Sequence, residues 1–249
     1  MGAIRAEFLK LKRSLSWAVV VLLPVMAVIT GVANTLVTDQ PLGDGWHTLW
    51  LRVVVFYGLF PLALGAAVLA SLVWRVEHQG GNWNALMSSR ASSLEVVVAK
   101  TAVLAALATA LQAVLVAGVI VAGKTVFGLP GTLPPVYFLV SLIIVVACLP
   151  VAALQVGLSM LMRSFAAPVA VALLGATAGV LLLMAGPEVL SLVMPYSLVN
   201  QATQLGTGAF ADSGTVTAAA AAPLVAASVG LTAAVVAGSA AVLDRLDIG

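Results

Sequence analysis

Apolar residues in this chain fall into six long runs, at about 17–37, 53–74, 101–123, 136–162, 165–186 and 216–243, separated by short polar breaks. Each run reaches the roughly 20 residues that a helix needs to cross a bilayer core. The pattern predicts an all-α membrane protein with six transmembrane helices in a single domain, 1–249. Asp39, Pro41 and Gly43 end the first run, and Pro187 ends the fifth. Lys124, Gly128, Pro130, Pro134 and Pro135 follow the third. Only Arg163 and Ser164 divide the fourth from the fifth, which requires a tight turn, because one helix over both runs would far exceed a membrane. Pro24, Pro61, Pro150 and Pro168 lie within or near spans, where proline often marks a kink.

Residues 4–15 follow a different rule. Ile4, Phe8, Leu11 and Leu15 share one helical face, with Arg5, Lys10, Lys12 and Arg13 on the flanks and back. The spacing predicts an amphipathic interface helix on the inner membrane surface. The alternative is an unstructured basic terminus that only sets topology. Two further patterns leave their explanations open. LLPVMAVITG at 22–31 and CLPVAALQVG at 148–157 suggest a three-plus-three repeat, and so small an alphabet also produces such matches by chance. Gly175 and Gly179 form GxxxG in the fifth run, which permits close helix contact within a subunit or between two.

Composition fixes the solvent. The chain is 62% hydrophobic and 8% charged, with a mean hydropathy of +1.17. Soluble domains carry about 25% charged residues, so lipid is the expected surroundings. A net charge of +2 gives no reason to expect nucleic acid. With the N-terminus inside, Arg5, Lys10, Lys12, Arg13, Arg75, Arg90, Lys100, Arg163 and Arg245 face the cytoplasm, against Arg52 and Lys124 outside. This bias predicts a cytoplasmic-membrane protein with both termini inside. Arg52 is placed at the outer edge of the second span. No cleavable signal peptide is expected, because the first run is too long and lacks a small-residue cleavage site.

The spans exclude several chemistries. None carries Asp, Glu, Lys or His near its middle, whereas ion-coupled transporters place ionisable groups there. Energy is therefore expected from elsewhere, and the path is expected to tolerate apolar cargo. GVIVAGKT at 118–125 matches the phosphate-loop pattern by letter, but that pattern needs a flexible loop between strand and helix. Here it ends an apolar span, so it reads as a span end with a flanking lysine. His47 and His78 lack a second ligand nearby, Cys148 sits in an apolar run, and Glu188 and Asp212 form no evident pair. No catalytic residue, metal or cofactor site is expected, and the chain is not expected to be an enzyme by itself.

The polar segment 75–100, RVEHQGGNWNALMSSRASSLEVVVAK, carries five of the chain's twenty charged residues. Its order of Glu77, Gly80–Gly81, Trp83, Leu86–Met87, Ser89–Arg90 and Lys100 resembles the loop between spans two and three of type-two ATP-binding cassette exporter permeases. EFLKLKRSLSW at 7–17 resembles the start of their lantibiotic-immunity branch. Asn82–Trp83 departs from the threonine and smaller residue of many relatives. The resemblance implies a homodimer, or a heterodimer with a similar permease, bound to two cytoplasmic ATPase subunits that hold ATP and Mg. It implies a coupling helix near 81–88 with Trp83, Leu86 and Met87 as apolar anchors and Glu77 and Arg90 as orienting charges. It also implies short re-entrant helices in the outer region 187–215, for which the alternative is a plain extracellular loop. The resulting expectation is the permease subunit of an exporter for an amphipathic or hydrophobic cargo, such as an antimicrobial peptide, drug or lipid-like molecule. The alternatives are a non-transporting scaffold or sensor subunit, or a passive channel. For segment 75–100 itself, the plain alternative is a cytoplasmic loop with Trp83 at headgroup level.

Overall fold

A computed structural model describes residues 2–11, 14–38, 42–79, 83, 91–209 and 214–246. Among these, every regular element is a helix: α1 Gly2–Lys10, α2 Ser16–Val37, α3 Trp46–Leu59, α4 Pro61–His78 and α5 Ser93–Thr125, then α6 Pro135–Leu161, α7 Ala166–Ala185, α8 Glu188–Val193, α9 Pro195–Gln204 and α10 Ala218–Leu246. Five helices (α2, α5, α6, α7 and α10) are long and apolar enough to cross a membrane, and α3 with α4 makes a sixth if the bent pair is one span. The all-helical reading therefore holds among the described residues, with five or six candidate spans against the six expected.

The bent pair has a local cause. Proline lacks an N–H and restricts the residue before it. Phe60, just before Pro61, leaves the helical region at φ −133°, and the two helices meet at 51°. The second run, read as one span over 53–74, is thus two helices that begin at Trp46 and end at His78. Arg52 consequently lies two turns inside α3 rather than at a span edge. Pro24 and Pro150 stay inside continuous helices, and Pro168 occupies the first turn of α7, where its missing donor matters least.

α5 begins earlier than its apolar run. Ser92 Oγ accepts from the Glu95 N–H (3.3 Å), and Glu95 Oε2 accepts from the Ser92 N–H (3.0 Å), a reciprocal capping box. The helix therefore starts at Ser93 and its 33 residues extend about 50 Å, longer than a bilayer core. Lys100 lies two turns inside it. At the N-terminus, α1 ends at Lys10, so Ile4 and Phe8 belong to it and Leu11 and Leu15 do not. Ile4 and Phe8 are exposed and Leu11 is buried.

α6 is the hub, with α4, α5, α9 and α10 packed along it. In lipid the hydrophobic effect does not hold helices together, so close approach at small residues must. Gly31 admits Val53, and Gly118 admits Val28. One apolar cluster gathers Trp50, Tyr57, Ile144 and Leu198; a second gathers Leu69, Trp74, Leu104 and Met160 nearer α1. The structure has two ends. One carries α1, the C-termini of α4 and α6, and the N-termini of α5 and α7. The other carries α8, α9 and the loop after α5.

Candidate functional site

The α1 end holds a buried charge quartet. Glu7 and Lys10 lie three residues apart on α1 and so share a face. Glu77 projects from the last turn of α4, and Lys100 from the second turn of α5. The Lys10 ammonium is 2.6 Å from Glu7 Oε1 and 2.6 Å from Glu77 Oε1. The Lys100 ammonium is 3.0 Å from Glu7 Oε2 and 3.0 Å from Glu77 Oε1. Two carboxylates and two ammonium groups thus alternate, joining three elements separated by 67 and 93 residues in sequence. Trp74, one turn before Glu77, lays its ring 4.5 Å from the Lys100 ammonium.

Burial gives this arrangement its weight. The Lys100 side chain is fully enclosed (0% exposed) and that of Glu77 nearly so (3%). An isolated buried charge is very costly, so each depends on the others. Burial alone would lower the Lys10 pKa. Its hydrogen bonds to Glu7 and Glu77, together with their negative charge, outweigh that and hold the ammonium above the ordinary lysine value. Glu77 Oε2 is buried without a hydrogen-bond partner, so the ring is not fully satisfied. A cavity of about 190 Å³ opens beside it, lined by Glu7, Lys10, Ser14, Arg75 and Gln79.

Next to the quartet stands an aromatic stack. Trp83 lies nearly parallel to the His78 ring at 5.7 Å, with Trp74 at 6.0 Å, and is half-buried. His78 Nε2–H donates to the Ser159 carbonyl at 2.8 Å. Trp83 therefore bears on α4 and, through His78, on α6. Of the residues expected to form a coupling site, Glu77 and Trp83 come together at this end. The Glu77 carboxylate points inward onto Lys10 and Lys100. Leu86, Met87 and Arg90 lie outside the described residues. Glu7 and Lys10 were not singled out for this site from the sequence, and Lys100 was read only as the last residue of segment 75–100 and one of the cytoplasmic charges. The Ser92–Glu95 capping box was the available signal that Lys100 sits inside a helix.

The opposite end is built differently. α9, PYSLVNQATQ, is a short polar helix, yet most of its residues are buried. Gly175 and Gly179 of α7 form the seat. A side chain at Gly175 would collide with the Tyr196 ring, and one at Gly179 would crowd Ser197 and Asn200. The GxxxG pair therefore serves packing within the chain. Gln155 Nε2 donates to the Tyr196 hydroxyl at 2.6 Å. Asn200, with its amide nitrogen toward α3, donates to the Gly58 carbonyl at 2.8 Å and accepts from Val180 N–H at 3.1 Å. Gln155 Oε1, Gln204 Oε1 and the Tyr57 hydroxyl are buried without partners. Asp212 lies outside the described residues.

The phosphate-loop look-alike at 118–125 is the last two turns of α5. Lys124 donates to the Leu129 carbonyl at 3.1 Å and to that of Gly131, and lies near the Trp46 ring, so its ammonium ties down the following loop. His47 shares a hydrogen bond with the Tyr137 hydroxyl at 2.8 Å. Among the described residues, no group of three His, Cys, Asp or Glu side chains could hold a metal.

Comparison with known proteins gives one family. Residues 3–179, from α1 into α7, match the model described as ABC-2 family transporter protein. No curated protein and no solved structure matches the chain.

Proposed function

The chain belongs to the ABC-2 transporter membrane family, and from that premise we propose that it is the permease subunit of an ATP-driven exporter energised by a separate ATPase. The carrying observation is the quartet Glu7, Lys10, Glu77 and Lys100, which joins α1, α4 and α5 on both flanks of segment 79–92. A push on that segment reaches α4 through Glu77 and the Trp83–His78 stack, and reaches α1 and α5 through the ion pairs. Trp83, Leu86 and Met87 are the proposed anchors on the ATPase, since aromatic and Met side chains favour interface cores. Arg90 and Glu77 orient the segment, Glu77 doing so from inside the protein.

In this reading the α1 end is cytoplasmic, α1 lies on the inner face of the cytoplasmic membrane, and the subunit works as a homodimer or with a similar permease. ATP and Mg sit on the partner. The short helices α8 and α9 form a re-entrant cap over the exit. The cargo is amphipathic or hydrophobic: an antimicrobial peptide, drug or lipid-like molecule. The lantibiotic-immunity branch is the favoured subgroup, on the residues 7–17.

Co-expression with a candidate ATP-binding cassette ATPase tests the assignment. Trp83→Glu, Leu86→Glu and Met87→Glu together are expected to abolish co-purification while the permease remains monodisperse. Retention of an intact, active complex would remove the coupling role from this segment.

A further inference from the structure

A second cavity at the α1 end, of about 460 Å³, is lined by Arg75, Arg163, His78, Ser164, Met162 and Phe165. It shares Arg75 and Gln79 with the cavity beside the quartet and His78 with the aromatic stack, but among the described residues it holds none of the four quartet members and not Trp83. Its floor is closed where Ser71 Oγ lies 3.4 Å from Ser159 Oγ and 3.5 Å from the Phe165 carbonyl, tying α4 to α6 and to the start of α7. No carboxylate lines it, and neither arginine is paired with a carboxylate among the described residues. α7 starts at its rim without a side-chain cap, so its first N–H groups add positive potential.

We propose that this cavity binds the phosphate of an anionic phospholipid headgroup. The cavity's place beside the 162–165 connection favours lipid. Residues 162–165 are the entire connection between two apolar helices long enough to span, which holds Arg163 at the lipid–water boundary. Phe165 is 47% exposed at the same level, next to where acyl chains would lie. Guanidinium groups bind phosphate through forked, charge-assisted hydrogen bonds. An acidic residue of a protein partner would have to reach this boundary from the aqueous side.

Native mass spectrometry of the full-length chain, released from nanodiscs, tests this. The discs contain phosphatidylglycerol and phosphatidylcholine in equal amounts, with and without millimolar inorganic phosphate. The wild type is expected to retain phosphatidylglycerol selectively. Each basic residue near a charged headgroup contributes about fivefold, so Arg75→Gln with Arg163→Gln is expected to weaken retention by roughly 25-fold. Arg75→Lys with Arg163→Lys should recover part of it, and Arg245→Gln, a control for charge at the same end, should change nothing. Displacement by inorganic phosphate, seen only in chains with both arginines, would keep the phosphate site and name free phosphate as its source. Equal retention of the two lipids, or retention indifferent to both arginines, overturns the proposal. So does loss of the ATPase complex in the double glutamine variant with lipid retention unchanged, which would give the cavity to a protein partner. Because that variant leaves Trp83, Leu86 and Met87 intact, the result separates this site from the coupling assignment.

Discussion

At the α1 end, four charged side chains meet within 2.6–3.0 Å and one of them is completely enclosed. At the α9 end, Gln155, Tyr196, Asn200 and Thr203 are equally buried but carry no formal charge. Both ends lock helices distant in sequence. They differ in what happens when one member is lost. Removing one ion leaves another uncompensated in a low-dielectric site, whereas a neutral amide or hydroxyl can find a backbone carbonyl nearby. Thr203 already does so, bonding the Val199 and Asn200 carbonyls. The charged end suits a joint that must keep its geometry under load. The neutral end, with three buried polar atoms unpartnered on Gln155, Gln204 and Tyr57, suits an element that can re-pair as it moves.

Lys100→Met should break the comparison most severely. It leaves Glu7 and Glu77 facing each other with only Lys10 between them, at an expected cost of about 3–5 kcal/mol, read by chemical unfolding in detergent. A loss below about 1 kcal/mol would show that the quartet is solvated and not a joint. Second in size is Gly175→Leu, which drives a side chain into Tyr196. Overpacking of this kind costs about 1–3 kcal/mol, and α9 should lose protection from hydrogen exchange. An unchanged α9 would mean that it is not seated on α7.

The contrast sharpens with a paired replacement. Gln155→Leu alone should cost about 1 kcal/mol by orphaning the Tyr196 hydroxyl, and Gln155→Leu with Tyr196→Phe should recover most of it. If the pair costs as much as the two single changes combined, Gln155 and Tyr196 are not coupled and their hydrogen bond does not hold α9. The smallest effect is that of pH on α1. Lys10 has a raised pKa, so its contribution is fully present below the unfolded lysine value near 10.4 and is lost only as pH rises through the higher folded value. Exchange of α1 amides, corrected for the intrinsic rate, should therefore show no Lys10-dependent step between pH 7 and 9. Such a step in that window, absent in Lys10→Gln, would contradict the ion-pair geometry.

The two ends were unequally legible. Apolar runs longer than a bilayer announce spans whatever they pack against, so the helical class and five of the six spans were readable from hydropathy. Pro61 was legible only as one of four kink-marking prolines: Pro24 and Pro150 stay inside continuous helices, whereas Pro61 opens a new one. The quartet was not readable. Glu77 and Lys100 were visible as charges, but nothing local says that Glu7 lies against Lys100, 93 residues away. Hydropathy also placed the start of α5 by its greasy part, when the Ser92–Glu95 box sets it two turns earlier. Stretch 187–215 was too short and broken for a span, but burial of α9 depends on Gly175 and Gly179 leaving room for Tyr196, a fit between two surfaces.

Hydrogen exchange on the reconstituted permease–ATPase complex, with and without ATP, tests the joint most directly. The wild type is expected to change protection in α1 and in the first two turns of α5 when ATP is added. In Glu7→Gln with Lys100→Gln, which removes one charge of each sign, the ATP response should remain in the ATPase and in 79–92 but vanish from α1. An α1 response to ATP that is the same in both proteins, or no response in the wild-type α1 and α5, would contradict the account.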